Sequence, residues 1–206
     1  MTNRIFQLWI GEQSSGKTYQ LKNILRKAAK TKSIDCVFVC DRTHEMIDLG
    51  DSAIIVKSCA GYLSASVDEM PRIVVAQCGT DPEAYSWVFH AAVRQGNCMV
   101  ALDEAYSFCP AGPVFRGDET LRDIIYSGRH LKNAEGEVSV THLVVAAQYP
   151  MTMNLSMHQQ APTIMCGTVS GNNIRRWIRD TFGDESWERV KKLRKWEFTP
   201  LKGRRP

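Results

Sequence analysis

At 206 residues, with 44% hydrophobic and 23% charged side chains, the chain is long enough to bury one sizeable α/β core and too evenly mixed to be disordered or fibrous. Its net charge of +4 neither requires nucleic acid nor rules it out, and no apolar run approaches the about 20 residues needed to span a bilayer. Seven cysteines without paired C-x-x-C spacing read as free thiols of a reducing compartment; Cys36 and Cys40 share one face of a predicted strand, but no second pair or histidine completes a zinc set.

The chain enters its first predicted strand at once, which leaves no room for a signal peptide. Ile5, Phe6, Leu8, Trp9 and Ile10 lead directly into Gly11-Glu12-Gln13-Ser14-Ser15-Gly16-Lys17-Thr18. This is the phosphate-binding P-loop pattern in the strand–loop–helix setting it requires. Backbone N–H groups of the loop and the helix start would point at phosphate oxygens. Lys17 would bring a mobile positive charge to the β/γ-phosphates and Thr18 a hydroxyl to Mg²⁺. ATP with Mg²⁺ is therefore the expected ligand.

Residues 18–30 read as a helix, with Tyr19, Leu21, Ile24, Leu25 and Ala28 as its apolar set. Residues 34–40 have the texture of a buried parallel strand, 54–56 of a small strand, and 72–77 of another buried strand. Asp81-Pro82-Glu83 opens a helix with an N-cap and a proline at its first position, running to about Gln95 and stopped by Gly96-Asn97. Residues 98–102 are apolar and end in Asp103-Glu104, the Walker B arrangement. Asp103 would hold Mg²⁺, and Glu104, pointing the other way off the strand end, would polarise the attacking water.

Residues 108–118 form a loop with two Pro and two Gly. Asp118-Glu119-Thr120 opens a helix through about Ser127, followed by Gly128-Arg129-His130, and 133–137 is a polar turn. Residues 138–147 read as one strand ending at Gln148-Tyr149-Pro150. In this fold class ligands sit outside the carboxyl ends of the strands, so Gln148 is either a polar sensor of γ-phosphate or a simple strand terminus. A short helix near 155–160, a strand at 163–168, and helices at 173–182 and about 186–192 complete the chain. Trp177 and Trp187 read as packing residues. The segment 189–205 carries eight basic residues against Glu197 alone, and reads either as a surface for phosphates or anionic lipid or as a solvated end. A single domain over 1–206 is expected, with a helical, basic C-terminal segment from about 171.

The P-loop, Val-Ala-Leu-Asp-Glu-Ala, Gly-Arg-His and a strand ending in Gln-x-Pro, in this order and spacing, resemble the FtsK/HerA superfamily of DNA-pumping ATPases. Within it, Gly128-Arg129-His130 ahead of the Gln148 strand is most similar to the genome-packaging ATPases of tailless internal-membrane phages and related archaeal and large DNA viruses. The resemblance runs from about residue 5 to residue 185. It implies a RecA/FtsK-HerA-like P-loop core, a mostly parallel sheet with helices on both faces, and a homohexameric ring moving double-stranded DNA with ATP between subunits. It further implies capsid or vertex proteins as docking partners, peripheral contact with a viral membrane, and a location in host cytoplasm or at the packaging vertex of the virion. By the same resemblance Arg129 is the candidate arginine finger, with Arg175, Arg176 and Arg179 as rivals; otherwise Arg129 is a helix C-terminal arginine answering the dipole. His130 reads as structural. Three other readings stay open: a filamentous-phage-type assembly ATPase, a nucleotide-gated assembly factor, and a small-molecule kinase using 108–116 as an acceptor loop.

Overall fold

The computed structural model describes residues 4–50, 53–65, 71–112 and 114–201. Among the described residues the main sheet has eight strands: β1 (Phe6–Ile10), β2 (Val37–Cys40), β3 (Ala53–Val56), β4 (Ile73–Ala76), β5 (Met99–Leu102), β8 (His142–Ala147), β9 (Thr163–Cys166) and β10 (Thr199–Leu201). A separate two-stranded hairpin is made by β6 (Leu131–Lys132) and β7 (Val138–Ser139). The order across the main sheet is β10-β9-β1-β8-β5-β2-β4-β3, and every pairing in it is parallel except that of β10 with β9. The fold is thus the expected mostly parallel α/β P-loop core.

The continuous apolar runs of β2, β4, β5 and β8 are buried at every position, as parallel strands covered on both faces must be. Alternation along β1 divides the core. Phe6, Leu8 and Ile10 join the cluster on one face, and Trp9 joins the cluster on the other. Helix α1 (Lys17–Ala29) covers the Trp9 face through Leu21, Leu25 and Ala28. The opposite face is covered by α3 (Ser86–Gln95), α4 (Glu119–Ser127), α5 (Leu155–Gln160) and α6 (Asn172–Phe182). Between them in the chain lies the short α2 (Cys59–Ala65), and α6 is followed by α7 (Asp184–Val190).

Several local expectations hold for the physical reasons given. Asp81 caps its segment by accepting from Glu83 N–H at 3.0 Å, although Pro82–Tyr85 is a 3-10 turn and the α-helix proper starts at Ser86. Asp118 accepts from Leu121 N–H at 3.0 Å and caps α4. Trp177 packs on Phe182 with ring centroids 5.1 Å apart, and both Trp177 and Trp187 lie against the core.

Two expectations are corrected. Tyr19 is not part of the buried stripe of α1; it is half exposed. Residues 138–147 are not one strand. Val138–Ser139 pairs with β6, the chain kinks where Thr141 N–H donates to Gly128 O (2.7 Å), and only His142–Ala147 enters the sheet.

Candidate nucleotide site

In the sheet β8 is inserted between β1 and β5. The carboxyl ends of these three strands therefore deliver the P-loop, Gln148 and Asp103-Glu104 side by side. This is the edge at which ligands bind in open α/β sheets.

The loop after β1 is fixed to its neighbours before it turns. Gly11 N–H donates to Ala147 O at 3.3 Å, and Glu12 N–H to Thr168 O at 2.9 Å. Gly16, at the entry to α1, has φ +97°, a backbone conformation that an L side chain strains. Lys17 is buried, and its ammonium donates back to Gly11 O (2.8 Å) and Glu12 O (3.0 Å). Burial lowers its pKa, opposed by the carboxylates of Glu104 and Asp103. Ser15 is fully buried with its hydroxyl unpartnered, an orphan polar group beneath a loop shaped for an anion.

A cleft of about 700 Å³ opens above this loop, lined by Gln13, Ser14, Lys17, Thr18, Asp103 and Glu104, with Gln148 at its edge. Gly11, Glu12 and Ser15 form its floor or flank rather than its lining. The Glu12 carboxylate turns aside and accepts from Ser170 Oγ at 2.9 Å. Glu104 reaches the cleft because its backbone is left-handed, with φ +55°, not by strand alternation; β5 has already ended at Leu102. One Glu104 carboxylate oxygen is buried without a partner.

Residues 43–46 add what the motifs did not foretell. Asp41, fully buried at the end of β2, accepts from Glu45 N–H and Met46 N–H (both 3.1 Å) and from Gln77 Nε2 (2.8 Å). That clamp suspends Thr43 and Glu45 over the cleft. Thr43 Oγ1 donates to Asp103 Oδ2 at 3.2 Å, and Thr18 Oγ1 donates to Glu45 Oε2 at 3.1 Å. Only the acid closing an apolar strand, Asp41, could have signalled this in the sequence. The C-terminal segment also reaches the cleft, with Lys195 and Trp196.

Burial first, and then the Glu104 and Glu45 carboxylates, push Asp103 up to about 7; burial likewise raises Glu104. Crowded carboxylates beside a hydroxyl make a hard oxygen donor set suited to Mg²⁺. Among the described residues no three His, Cys, Asp or Glu side chains form a metal cage of their own.

Arg129 lies at the other end of the sheet. It is exposed in a 240 Å³ cleft with Arg4, Phe6, Tyr126, His130 and Gln160. Arg4 occupies the C-terminus of α4, donating to the carbonyls of Ile124, Ile125 (3.1 Å) and Thr141 (3.1 Å). A Cβ on Gly128 would sit 2.7 Å from Arg4 Nε, so glycine is what lets the guanidinium in. Arg4 thus makes the hydrogen bonds to the last carbonyls of α4, alongside the exposed Arg129. The rivals on α6 are engaged: Arg176 pairs with Asp180 (3.5 Å), Arg179 with Asp184, and Arg175 lies over the Trp187 ring. Of the basic tail, Lys191 pairs with Glu188 at 2.6 Å, while Lys202, Arg204 and Arg205 lie outside the described residues. No described helix is long and apolar enough to cross a membrane.

No protein-family profile matches the chain, and no curated protein matches it by sequence. Solved structures do. The genome packaging NTPase B204 from Sulfolobus turreted icosahedral virus 2, in complex with AMP, matches with TM-score 0.73 and 21% identity over 97% of this chain and 93% of that one. The same protein in complex with ATP-gammaS matches with TM-score 0.71 and 20% identity over 98% and 99% of the two chains. B204, the DNA-packaging ATPase of Sulfolobus turreted icosahedral virus, matches with TM-score 0.71 and 19% identity over 98% and 99%. The chain therefore has, along almost its whole length, the P-loop NTPase fold of viral genome packaging NTPases.

Proposed function

We propose that this protein is an ATP-hydrolysing motor of the FtsK/HerA type that drives double-stranded DNA into a preformed viral capsid. The observation that carries the reading is the convergence of Lys17, Asp103, Glu104 and Gln148 on one cleft, delivered by three adjacent strands. A fold shared with viral packaging NTPases supports the biological setting. Capsid or vertex proteins would dock the ring, and the host cytoplasm or the virion vertex would be its place of work.

The chemistry follows from the side chains. On ATP binding, the Lys17 ammonium exchanges its two loop carbonyls for phosphate oxygens, whose negative charge offsets the burial that disfavours its charged form. Thr18 and Asp103 would hold Mg²⁺ together with the nucleotide, and the ion would supply positive charge against that developing on the phosphates. Glu104, with one carboxylate oxygen unpartnered and its proton affinity raised by burial, accepts hydrogen from the attacking water. Gln148 orients that water or reads the γ-phosphate. Phe6, beside Arg129, and Ile10, at the P-loop, are opposite ends of β1, so roughly 13 Å of strand separates Arg129 from its own site. Arg129 therefore serves a neighbour's site, as a hexameric ring allows.

Steady-state ATP hydrolysis, measured with and without long double-stranded DNA across protein concentrations, tests the proposal. Specific activity that climbs with protein concentration and is stimulated by DNA is expected. Activity flat in concentration and indifferent to DNA would overturn the motor reading in favour of a kinase or a nucleotide-gated assembly factor.

A further inference from the structure

Residues 194–197 form a tight turn that leans over the P-loop. Glu197 N–H donates to Arg194 O at 3.1 Å, and Arg194 N–H donates to the Glu197 carboxylate at 2.8 Å. Lys195 and Trp196 stand at the tip of this turn and line the nucleotide cleft. Trp196 has φ +78°. At the third position of a turn that conformation calls for Gly or Asn, and for a bulky side chain it is strained. Such strain persists only where the surroundings over-determine it, and it gathers at ligand clamps.

Those surroundings are visible. Phe198, two residues on, packs edge-on against Trp9 with ring centroids 5.0 Å apart, and β10 then pairs with β9. The turn is thus pinned to the same sheet edge that carries the P-loop. Its Trp196 backbone passes within 3.7 Å of where a Cβ on Gly16 would be. Trp196 is not spent on core packing: its side chain is 56% exposed, and Tyr19, one residue beyond Thr18, is 53% exposed. The two rings face each other 6.1 Å apart at 47°, an open wedge rather than a closed stack. Large aromatic faces left free beside a phosphate site are what a nucleobase stacks on.

We infer that Trp196 and Tyr19 form the base-binding platform of the nucleotide site, receiving the nucleobase of the triphosphate whose phosphates lie on the P-loop. The inference rests on the nucleotide-site reading above. Stacking on a π-face tolerates any base, so this platform contributes affinity and leaves the choice among bases open. Strain at Trp196 is retained because the turn must present an indole there.

Equilibrium binding of two probes, ATP and inorganic tripolyphosphate, separates this inference from the one it rests on. The variants are Trp196→Gly, which relieves the left-handed backbone and so keeps the turn, Trp196→Phe, which keeps an aromatic face, and Tyr19→Ala. The expected result is a loss on the order of tenfold in ATP affinity for Trp196→Gly, with a smaller loss for Tyr19→Ala. Tripolyphosphate affinity stays at the wild-type level in both, and Trp196→Phe retains most ATP affinity. Unchanged ATP binding in Trp196→Gly, or equal weakening toward both probes, would overturn the base platform while leaving the phosphate site standing. Failure of the wild-type protein to bind either probe would overturn the nucleotide site and the platform with it.

Discussion

The two ends of the central sheet carry opposite charge chemistry. At the carboxyl end of the sheet, Asp103, Glu104 and Glu45 crowd Lys17, and the Glu104, Glu45 and Asp41 carboxylates add to burial in lifting Asp103 to about 7. At the amino end of β1, Arg4 and Arg129 share a cleft with His130 and no acid, and burial together with Arg129 holds Arg4 down to about 10. One end is short of cations once a triphosphate is added to it; the other presents an exposed guanidinium with no ion-pair partner among the described residues. Within one subunit these ends cannot meet. In the ring proposed above, a head-to-tail contact, the kind that closes into rings, would place the arginine of one copy beside the carboxylates and phosphates of the next.

The contrast can be broken first at the acidic end. Lys17→Ala removes the buried cation beside the loop, and ATP turnover is expected to fall by about 10²–10³-fold or more; normal turnover would mean the phosphates lie elsewhere. Glu104→Gln keeps the shape and loses the charge. Hydrolysis in steady state should drop on the order of 10²-fold or more while equilibrium ATP binding survives. A variant that hydrolyses like wild type would remove Glu104 as the proton acceptor.

At the arginine end the expected effects are on stability. Arg4→Ala abandons the carbonyls of Ile124, Ile125 and Thr141 in a half-buried site, which should cost about 2–4 kcal/mol in chemical denaturation. A change under about 0.5 kcal/mol would mean that another group or water replaces the guanidinium. Beside it, His142 is 1% exposed and its Nδ1 accepts from Ile5 N–H at 2.9 Å. Burial, then Arg4, lowers its pKa from 6.5 to about 4. A depressed folded pKa means the stabilisation is complete above about 6.5 and is lost as pH falls toward 4. Half-buried His158 carries the same sign. The His142 contribution to unfolding free energy should therefore fall between pH 6.5 and 4 by up to about 3 kcal/mol. It is opposed over the same window by Asp103, whose raised pKa has the other sign, and His142→Gln should remove the His142 part of the slope. A slope unchanged in that variant would assign acid sensitivity to other groups.

Much of this architecture was written locally. The P-loop, the apolar run into Asp103-Glu104 and the strand before Gln148 each combine a contiguous pattern with a chemical terminus, and the structure brings all three into one cleft. What the sequence hid was long-range. Thr43 and Glu45 reach the site only because Asp41 clamps their loop, and Trp196 arrives there through the pairing of β10 with β9. Three residues containing Pro200 carry no readable strand signal, since proline cannot donate to a ladder and suits only an edge. The kink between β7 and β8 was equally silent, because Val140-Thr141 continues the apolar β-branched texture on either side. Arg4 gave no sign of its role either, as its partners lie more than a hundred residues away along the chain.

The central claim, that the arginine end of one copy completes the acidic end of another, is tested most directly by mixing two inactive variants. Arg129→Ala should lose on the order of 10³-fold in turnover, and Lys17→Ala should be inactive by loss of its own site. Mixed in a ring, a Lys17→Ala subunit still offers its Arg129 to an Arg129→Ala neighbour with an intact cleft, so ATPase activity should reappear and peak near equal proportions. A mixture no more active than its components would contradict a shared site and return Arg129 to a role within its own subunit.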